Sequence, residues 1–175
     1  YNNMAYELYL YYLYAKLRHY YQYYYSITLD KFDPNMIIDN IYVGSIYDAY
    51  NIEKLEEEGI TNVISAVAGF DNIYDSTINH LNLTLIDNNQ QDILRYFEIS
   101  NHFIEQILEK NEKILVHCIC GVSRSVTLVC AYMIKKYNYT VKEALEIIKK
   151  NRNVANPNEN FINQLEEYYQ LLNRK

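Results

Sequence analysis

The sequence predicts an α/β fold, in which a mostly parallel, twisted central sheet is flanked by helices and preceded by an extra N-terminal helix. Short β-branched runs alternate along the chain with amphipathic helical stretches, which is the order typical of parallel sheets. The chain has 175 residues, of which 50% are hydrophobic and 22% charged, as in an ordinary globular protein. We therefore expect one folded domain over residues 31–175, with an extension over residues 1–30.

Tyrosine is the anomaly of the composition, because 11 of the 21 tyrosines lie in the first 25 residues. Residues 4–25 place leucines and tyrosines at steps of three and four, which predicts an amphipathic helix with a broad aromatic face. Such a face must be buried on the following domain, on a second copy of the chain or on a protein partner. We therefore expect residues 4–25 to form a docking surface.

Charge and cysteine content exclude several classes of protein. The formal net charge of −6 argues against a protein that binds nucleic acid or a membrane surface through a diffuse basic field. All three cysteines lie within residues 118–130 and cannot link distant parts of a fold, so we expect a reducing compartment, cytoplasmic or nuclear. No membrane span is expected, because the longest apolar stretch, residues 4–17, is interrupted by Glu7.

Five short runs predict β-strands, because each is apolar or alternates between apolar and polar residues. In chain order they are residues 36–38, 41–43, 62–67, 80–86 and 113–116. The turn-forming pair Asp39-Asn40 joins the first two as a small hairpin that ends near Gly44. The third and fifth runs are typical of buried strands, whereas leucines alternate on one face of the fourth, which ends in a polar loop from Asp87.

Five stretches predict helices, because their apolar residues recur at steps of three and four. In chain order they are residues 47–58, 93–110, 124–137, 141–150 and a last stretch that follows Pro157. Gly59 ends the first helix. The third is apolar almost all round and finishes in two lysines that complement its dipole, which is typical of a central helix. Thr140 and Glu143 form a capping box for the fourth.

The chemistry is concentrated in the loop over residues 117–125, which joins a predicted strand to a predicted helix. Such a loop directs backbone N–H groups inward, and the helix dipole adds its positive end, so the loop is suited to a phosphate-like anion. Gly121 relieves the tight turn, and Arg124 can hold two anion oxygens at once. Cys118 lies at the start of the loop, where the same donors stabilise a thiolate and make it a nucleophile at neutral pH.

His117-Cys118, followed after five residues by Arg124-Ser125, resembles the signature of protein tyrosine phosphatases. Gly121, Ser123 and Ser125 resemble its dual-specificity branch. The similarity extends over residues 37–172 through matched motifs: Ile41-Tyr42-Val43-Gly44, residues 60–64, Asp87 with Phe97, Ala131-Tyr132, Ala144-Leu145, Pro157-Asn158, Phe161 and Gln164-Leu165. The resemblance implies a protein-tyrosine-phosphatase-like fold that removes phosphate from tyrosine, serine and threonine side chains of phosphoproteins.

The resemblance also implies a role for each matched residue. Cys118 would be the nucleophile that forms a phosphocysteine, and Arg124 would hold the phosphoryl oxygens. Asp87, 31 residues before Cys118, would protonate the leaving oxygen and then activate water. Ser125 would stabilise the departing thiolate, and His117 would orient the loop and lower the pKa of Cys118. The bound phosphate would lie on the loop residues, which are Ile119, Cys120, Gly121, Val122, Ser123 and Arg124.

Alternatives stay open for several of these residues. The Cys-X5-Arg spacing also occurs in rhodanese-like and low-molecular-weight phosphatase domains. Asp92 is the rival acid, because it lies in the same loop as Asp87. Ser125 could be a helix-start residue, and His117 could be a core histidine that bonds only backbone. For the whole chain, the alternative function is a phosphoprotein-binding scaffold on the same fold.

The remaining loop residues bear on redox chemistry, cofactors and substrates. Cys120 is either a small loop side chain or a redox partner that captures oxidised Cys118. No metal or other cofactor is expected, because His80 and His102 lack a partner at the spacing of zinc ligands. Ile119 and Val122 stand among the variable loop positions, where phosphoinositide phosphatases of this superfamily tend to carry lysine. Lipid and RNA substrates are therefore not expected.

Overall fold

The computed structural model describes residues 13–14, 16–17, 21, 32–70 and 73–174. Within the predicted N-terminal helix over residues 4–25, the described positions are helical: Leu13, Tyr14, Lys16, Leu17 and Tyr21. The other residues of that helix lie outside the described residues. The predicted docking surface, and the domain boundary at residue 30, therefore stay predictions.

Among the described residues, five strands form one sheet. They are β1 (Asn35–Ile38), β2 (Ile41–Gly44), β3 (Ile60–Ala66), β4 (Asn79–Leu83) and β5 (Lys113–His117). Their spatial order is β1-β2-β5-β3-β4. The β1–β2 pair is antiparallel and the other three pairs are parallel, so the predicted mostly parallel sheet is confirmed. Strand β5 lies at the centre of the sheet.

The β1–β2 hairpin has the tight turn that its sequence predicts. Asp39 and Asn40 both adopt positive φ, at 41° and 66°. A two-residue hairpin turn of type I′ requires positive φ at both central residues, and Asp and Asn tolerate that conformation best after glycine. The hairpin places β2 beside the central strand β5, where the two strands run parallel.

Six helices follow the same chain order. They are α1 (Ile46–Tyr50), α2 (Ile52–Glu57), α3 (Phe97–Glu109), α4 (Arg124–Tyr137), α5 (Val141–Asn151) and α6 (Glu159–Asn173). Helix α4 contacts α3, α5, α6, β5 and β2. It is buried without interruption from Arg124 to Ile134, which confirms the predicted central helix. No helix in the described part of the chain is both long and apolar enough to cross a membrane.

The single helix predicted over residues 47–58 is wrong, because two short helices replace it. Asn51 interrupts it with φ −87° and ψ 73°, outside the helical region, and its side chain accepts a hydrogen bond from the Lys54 N–H. An asparagine side chain that caps the next helix competes with continuation of the previous one. Gly59 ends the second helix with φ 69°, as predicted.

Two predicted boundaries also shift. The strand predicted over residues 80–86 ends at Leu83, because the carbonyl oxygen of Leu85 accepts from the Ala68 N–H and from Arg124. The helix predicted over residues 93–110 opens with a 3₁₀ turn, Leu94–Tyr96. There the N–H groups of residues 93 and 94 both donate to the Gln164 side chain, which holds this turn against α6.

The sheet and α4 together define where a ligand can bind. The carboxyl ends of the four parallel strands β2, β5, β3 and β4 meet at one edge, and the loop from β5 to α4 and the loop after β4 both emerge there. Ligands of α/β folds bind outside the carboxyl ends of parallel strands. The edge therefore brings together two loops that lie far apart in the sequence.

Candidate active site

The loop from Cys118 to Ser123 turns its backbone carbonyl groups away from its centre. Each of these carbonyl oxygens accepts a hydrogen bond of 2.6–3.3 Å from outside the loop centre. In chain order the donors are His117 Nδ1, Ile46 N, Arg152 Nη2, Arg152 Nε, Asn156 N and Thr127 N. Because the two ends of a peptide unit point in opposite directions, the N–H groups face the loop centre. With the positive end of the α4 dipole, they form a cradle for an anion.

Gly121 is required where this loop approaches the rest of the molecule. Its φ of +66° lies in the left-handed region, as the sequence predicts for a tight turn. A Cβ atom at this position would lie 2.5 Å from Arg152 Nη2 and 2.5 Å from the Gly44 carbonyl oxygen. The loop therefore closes against β2 and α5 only with glycine at this position.

Cys118 lies at the base of the cradle, with 1% of its surface exposed. The Ser125 hydroxyl donates to its Sγ at 3.3 Å. Burial by itself raises the pKa of the Cys118 thiol. The Arg124 guanidinium, the Ser125 hydroxyl and the backbone N–H groups of Ser125 and Val122 outweigh burial and hold that pKa below its ordinary value. The site is therefore built to hold a thiolate.

Arg124, the first residue of α4, has its guanidinium held in place but not saturated. Its Nη1 donates to the Leu85 carbonyl oxygen at 3.2 Å, which ties α4 to the loop after β4. Its Nε lies 3.5 Å from Asp87 Oδ2, and this buried N–H has no hydrogen-bond acceptor among the described residues. A buried donor without an acceptor is costly, so this group favours an anion beside it.

Asp87 lies at the same cavity, although it comes from the loop after β4. Its Oδ1 accepts from Ser123 Oγ at 3.0 Å and from Asn158 Nδ2 at 2.8 Å. The cavity measures about 390 Å³ and is lined by Asp87, Cys118, Cys120, Val122, Ser123, Arg124, Asn156 and Asn158. The rival acid Asp92 is exposed, accepts from the Arg95 N–H at 3.3 Å and does not line the cavity.

A larger cavity of about 610 Å³ lies between α3 and α4 and includes Glu98, Glu105, Lys135 and Lys136 in its lining. Lys135 binds Glu98 at 2.5 Å, and Lys136 binds Glu105. These charges are already paired, and neither a cysteine nor a loop of inward N–H groups borders the cavity. We therefore place the chemistry at the smaller cavity.

His117 is fully buried and bonded on both sides of its ring. Nδ1 donates to the Cys118 carbonyl oxygen at 3.3 Å, and Nε2 lies 2.6 Å from Ser65 Oγ. Ser65 Oγ also lies 2.7 Å from Nε2 of His80. The Ser65 hydroxyl has one proton, so it can donate to one imidazole and accept from the other. This chain of three side chains supports the loop from below, across β4, β3 and β5.

The other two cysteines differ sharply in environment. Cys120 is exposed at the rim of the cavity, whereas burial raises the pKa of the Cys130 thiol inside α4. Both predicted interpretations of Cys120, as a small loop residue or as a redox partner of Cys118, stay predictions. Across the described parts of the chain, no group of three or more His, Cys, Asp or Glu side chains is placed to hold a metal ion.

Sequence reasoning missed four residues that hold this site together: Ser65, Arg152, Asn156 and Asn158. Asn158 had a usable signal, because an asparagine just before a predicted helix, here after Pro157, is a common N-cap. The others carry no local signal, since a serine in a strand and an arginine after a helix are ordinary. Their contacts depend on segments that come together only in the folded chain.

Comparison with known proteins identifies the fold family. The model of the dual specificity phosphatase catalytic domain matches residues 41–171. Tyrosine-protein phosphatase yvh1 of Schizosaccharomyces pombe is 41% identical over 138 residues, which cover 79% of this chain and 42% of that protein. Protein phosphatase Slingshot of Drosophila melanogaster is 35% identical over 139 residues, which cover 79% of this chain and 13% of that protein. The chain thus spans less than half the length of either relative.

The solved structures agree with the sequence relatives. The crystal structure of DUSP15 superposes with a TM-score of 0.74 at 30% identity, covering 78% of this chain and 86% of that one. The predicted protein-tyrosine-phosphatase-like α/β fold is therefore confirmed. Because the family model matches most of the sequence and the fold agrees, this chain belongs to the family of dual-specificity phosphatase catalytic domains.

Proposed function

We propose that this chain removes phosphate from phosphotyrosine, phosphoserine and phosphothreonine in proteins, through a covalent intermediate on Cys118. The observation that carries the proposal is a low-pKa thiol at the base of a cradle of inward-facing N–H groups. An arginine and a carboxylic acid line the same cavity. A scaffold would need the anion cradle alone, so the nucleophile and the acid favour an enzyme.

The first chemical step is attack by the Cys118 thiolate on phosphorus. The Sγ–P bond forms while the bond from phosphorus to the leaving oxygen breaks, and Asp87 gives its proton to that oxygen. The inward N–H groups and Arg124 neutralise charge on the non-bridging oxygens as it develops. The loop is already shaped by its outward hydrogen bonds, so it does not need to reorganise during the reaction.

The second step hydrolyses the phosphocysteine. Asp87, now ionised, takes a proton from water as the water oxygen attacks phosphorus, and the Sγ–P bond breaks. The Ser125 hydroxyl, 3.3 Å from Sγ, stabilises the departing thiolate. Free phosphate then leaves, and Asp87 has regained the proton that it needs for the next cycle.

The shape and charge of the cavity favour a single phosphate on a protein side chain. Of the eight described residues that line the cavity, Arg124 alone is a permanent cation. A highly phosphorylated lipid would need further cations beside it. We place the activity in the cytoplasm or nucleus, because the three cysteines are free and Cys118 must stay reduced.

Hydrolysis of phenyl phosphate tests the proposal. We expect vanadate-sensitive activity that Cys118→Ser abolishes and that Asp87→Asn lowers by about 10²- to 10⁴-fold. Asp92→Asn is the matched control, because it removes a carboxylate from the same loop outside the cavity, and it should stay near wild type. Activity that survives Cys118→Ser would overturn the phosphocysteine mechanism. Phosphotyrosine and phosphothreonine peptides then measure the breadth of the specificity.

A further inference from the structure

Asn158 joins the start of α6 to the carboxyl group of Asp87, and the mechanism above does not use it. We propose that Asn158 is a positioning residue for the general acid: it binds one carboxyl oxygen of Asp87, Oδ1, so that the other, Oδ2, carries the proton that is transferred. This inference rests on the proposed function, because it assigns an orientation to the same acid.

The orientation of the Asn158 amide is set from two sides. Its Oδ1 accepts from the Phe161 N–H at 2.9 Å, as the N-cap of α6. A backbone N–H can only donate, so the amide oxygen must face the helix. The Nδ2 group therefore faces the other way, where it donates to Asp87 Oδ1 at 2.8 Å. The rigid end of a helix thus fixes a donor against a side chain from a loop.

Ser123 reinforces this arrangement from within the anion loop. Its hydroxyl donates to the same Oδ1 of Asp87 at 3.0 Å and accepts from the Asn158 N–H at 3.4 Å. The hydroxyl proton is therefore committed to Asp87. Asn158, Ser123 and Asp87 form a closed set of contacts, so the acid keeps a defined position relative to the loop that would hold the phosphate.

The two oxygens of the Asp87 carboxyl group differ as a result. Oδ1 receives two donors, and a proton placed on it would point at hydrogens that already face it. Oδ2 lies 3.5 Å from Arg124 Nε without a hydrogen bond between them. The proton of the acid form therefore belongs on Oδ2, which is the oxygen nearer to the guanidinium that would grip the phosphoryl group.

The dependence on the leaving group tests this inference. Phenolate is a poor leaving group that needs the acid, whereas p-nitrophenolate departs readily without it. We expect Asn158→Ser to lower kcat on phenyl phosphate about 10-fold and kcat on p-nitrophenyl phosphate less than about 2-fold, since one positioning hydrogen bond is lost. Serine keeps the N-cap of α6, because Asn and Ser cap equally well.

A second variant and a control separate positioning from general damage. Asn158→Asp also keeps the cap but sets a carboxylate against Asp87, so it should show the same selective loss. Thr140→Ala removes the N-cap of α5 without touching Asp87, and its two substrates should keep their wild-type ratio. An equal loss on both substrates in the Asn158 variants, or no loss on phenyl phosphate, would overturn the inference.

Asp87→Asn keeps the two failures distinct. If Asp87→Asn itself shows no preference for the better leaving group, the assignment of the acid in the proposed function is wrong. If it does show that preference and Asn158→Ser does not, the positioning role is wrong and the mechanism stands. Within the Asp87→Asn background, Asn158→Ser should have no further effect on phenyl phosphate, because the group it positions is gone.

Discussion

Cys118 and Cys130 are both buried cysteines, yet the pKa of each thiol shifts in the opposite direction. Burial raises the pKa of Cys130, and the charge of Glu166 adds to the effect. For Cys118, burial acts in the same sense, but Arg124, Ser125 and Val122 outweigh it. At the residue scale, reactivity is therefore decided by the few donors that surround the sulfur, since desolvation alone would leave an inert thiol.

Alkylation by iodoacetamide, followed across pH by mass spectrometry, tests the role of Arg124. We expect Arg124→Met to move the pH midpoint of Cys118 labelling upward, because the cation that stabilises the thiolate is lost while burial remains. Arg95→Met is the matched control, because it removes the same charge from an exposed position. An unchanged midpoint in Arg124→Met would show that the backbone donors and Ser125 suffice.

The connection between α5 and α6 determines the shape of the loop at the element scale. Arg152, at the end of α5, donates to the carbonyl oxygens of Gly121 and Cys120 at 2.6 and 3.2 Å. It also donates to Asn35 at 2.7 Å, so a single guanidinium joins the loop to β1. Asn156 and Asn158 continue the same support along the connection. The cradle is thus held from outside by a segment that would not itself touch phosphate.

Arg152→Met tests this support through stability and anion affinity together. Two loop carbonyl groups lose their donors, each at a cost of about 1–3 kcal/mol, so we expect a clear loss in urea unfolding. We also expect vanadate inhibition to weaken about 10-fold, since the inward N–H groups are no longer held in place. Lys150→Met, at an exposed position on α5, should change neither measurement. Unchanged inhibition by vanadate in Arg152→Met would contradict this role.

The buried chain His80–Ser65–His117 links stability of the whole molecule to pH. Burial lowers the pKa of His80 from 6.5 to about 4. The rings of Phe70 and Tyr74 pack against His80 and help to exclude water from it. Between these two pKa values the unfolded chain binds the proton more readily than the folded protein. The free energy of unfolding therefore falls as pH drops through this window.

Urea unfolding at pH 7 and pH 5.5 measures this linkage. We expect His80→Gln to reduce the difference in unfolding free energy between the two pH values, because glutamine has no proton to gain. The slope with pH is the readout, so a uniform loss of stability from the substitution does not affect it. Both pH values lie above the range where Glu98 and Glu105 titrate, since their partners lower the pKa of each. An identical slope in His80→Gln would place the proton uptake elsewhere.

The sequence by itself determined the order of strands and helices and the contents of the central loop. Periodicity is a local property, so β1, β2, β5 and α4 could be located from it. Within the loop, Cys118, Gly121 and Arg124 are neighbours in the chain, and their spacing alone predicts an anion site. Asp87 came from the resemblance to a family, since 31 residues separate it from Cys118.

Only the tertiary structure decided which distant residues hold that loop in place. The break at Asn51 depends on a capping contact that competes with an equally regular helical pattern. Arg152 contacts the loop 31 residues away, and Asn158 contacts Asp87 across 71 residues. Contacts of that kind are set by how α5 and α6 pack on α4, and packing depends on shape complementarity between elements rather than on any local pattern.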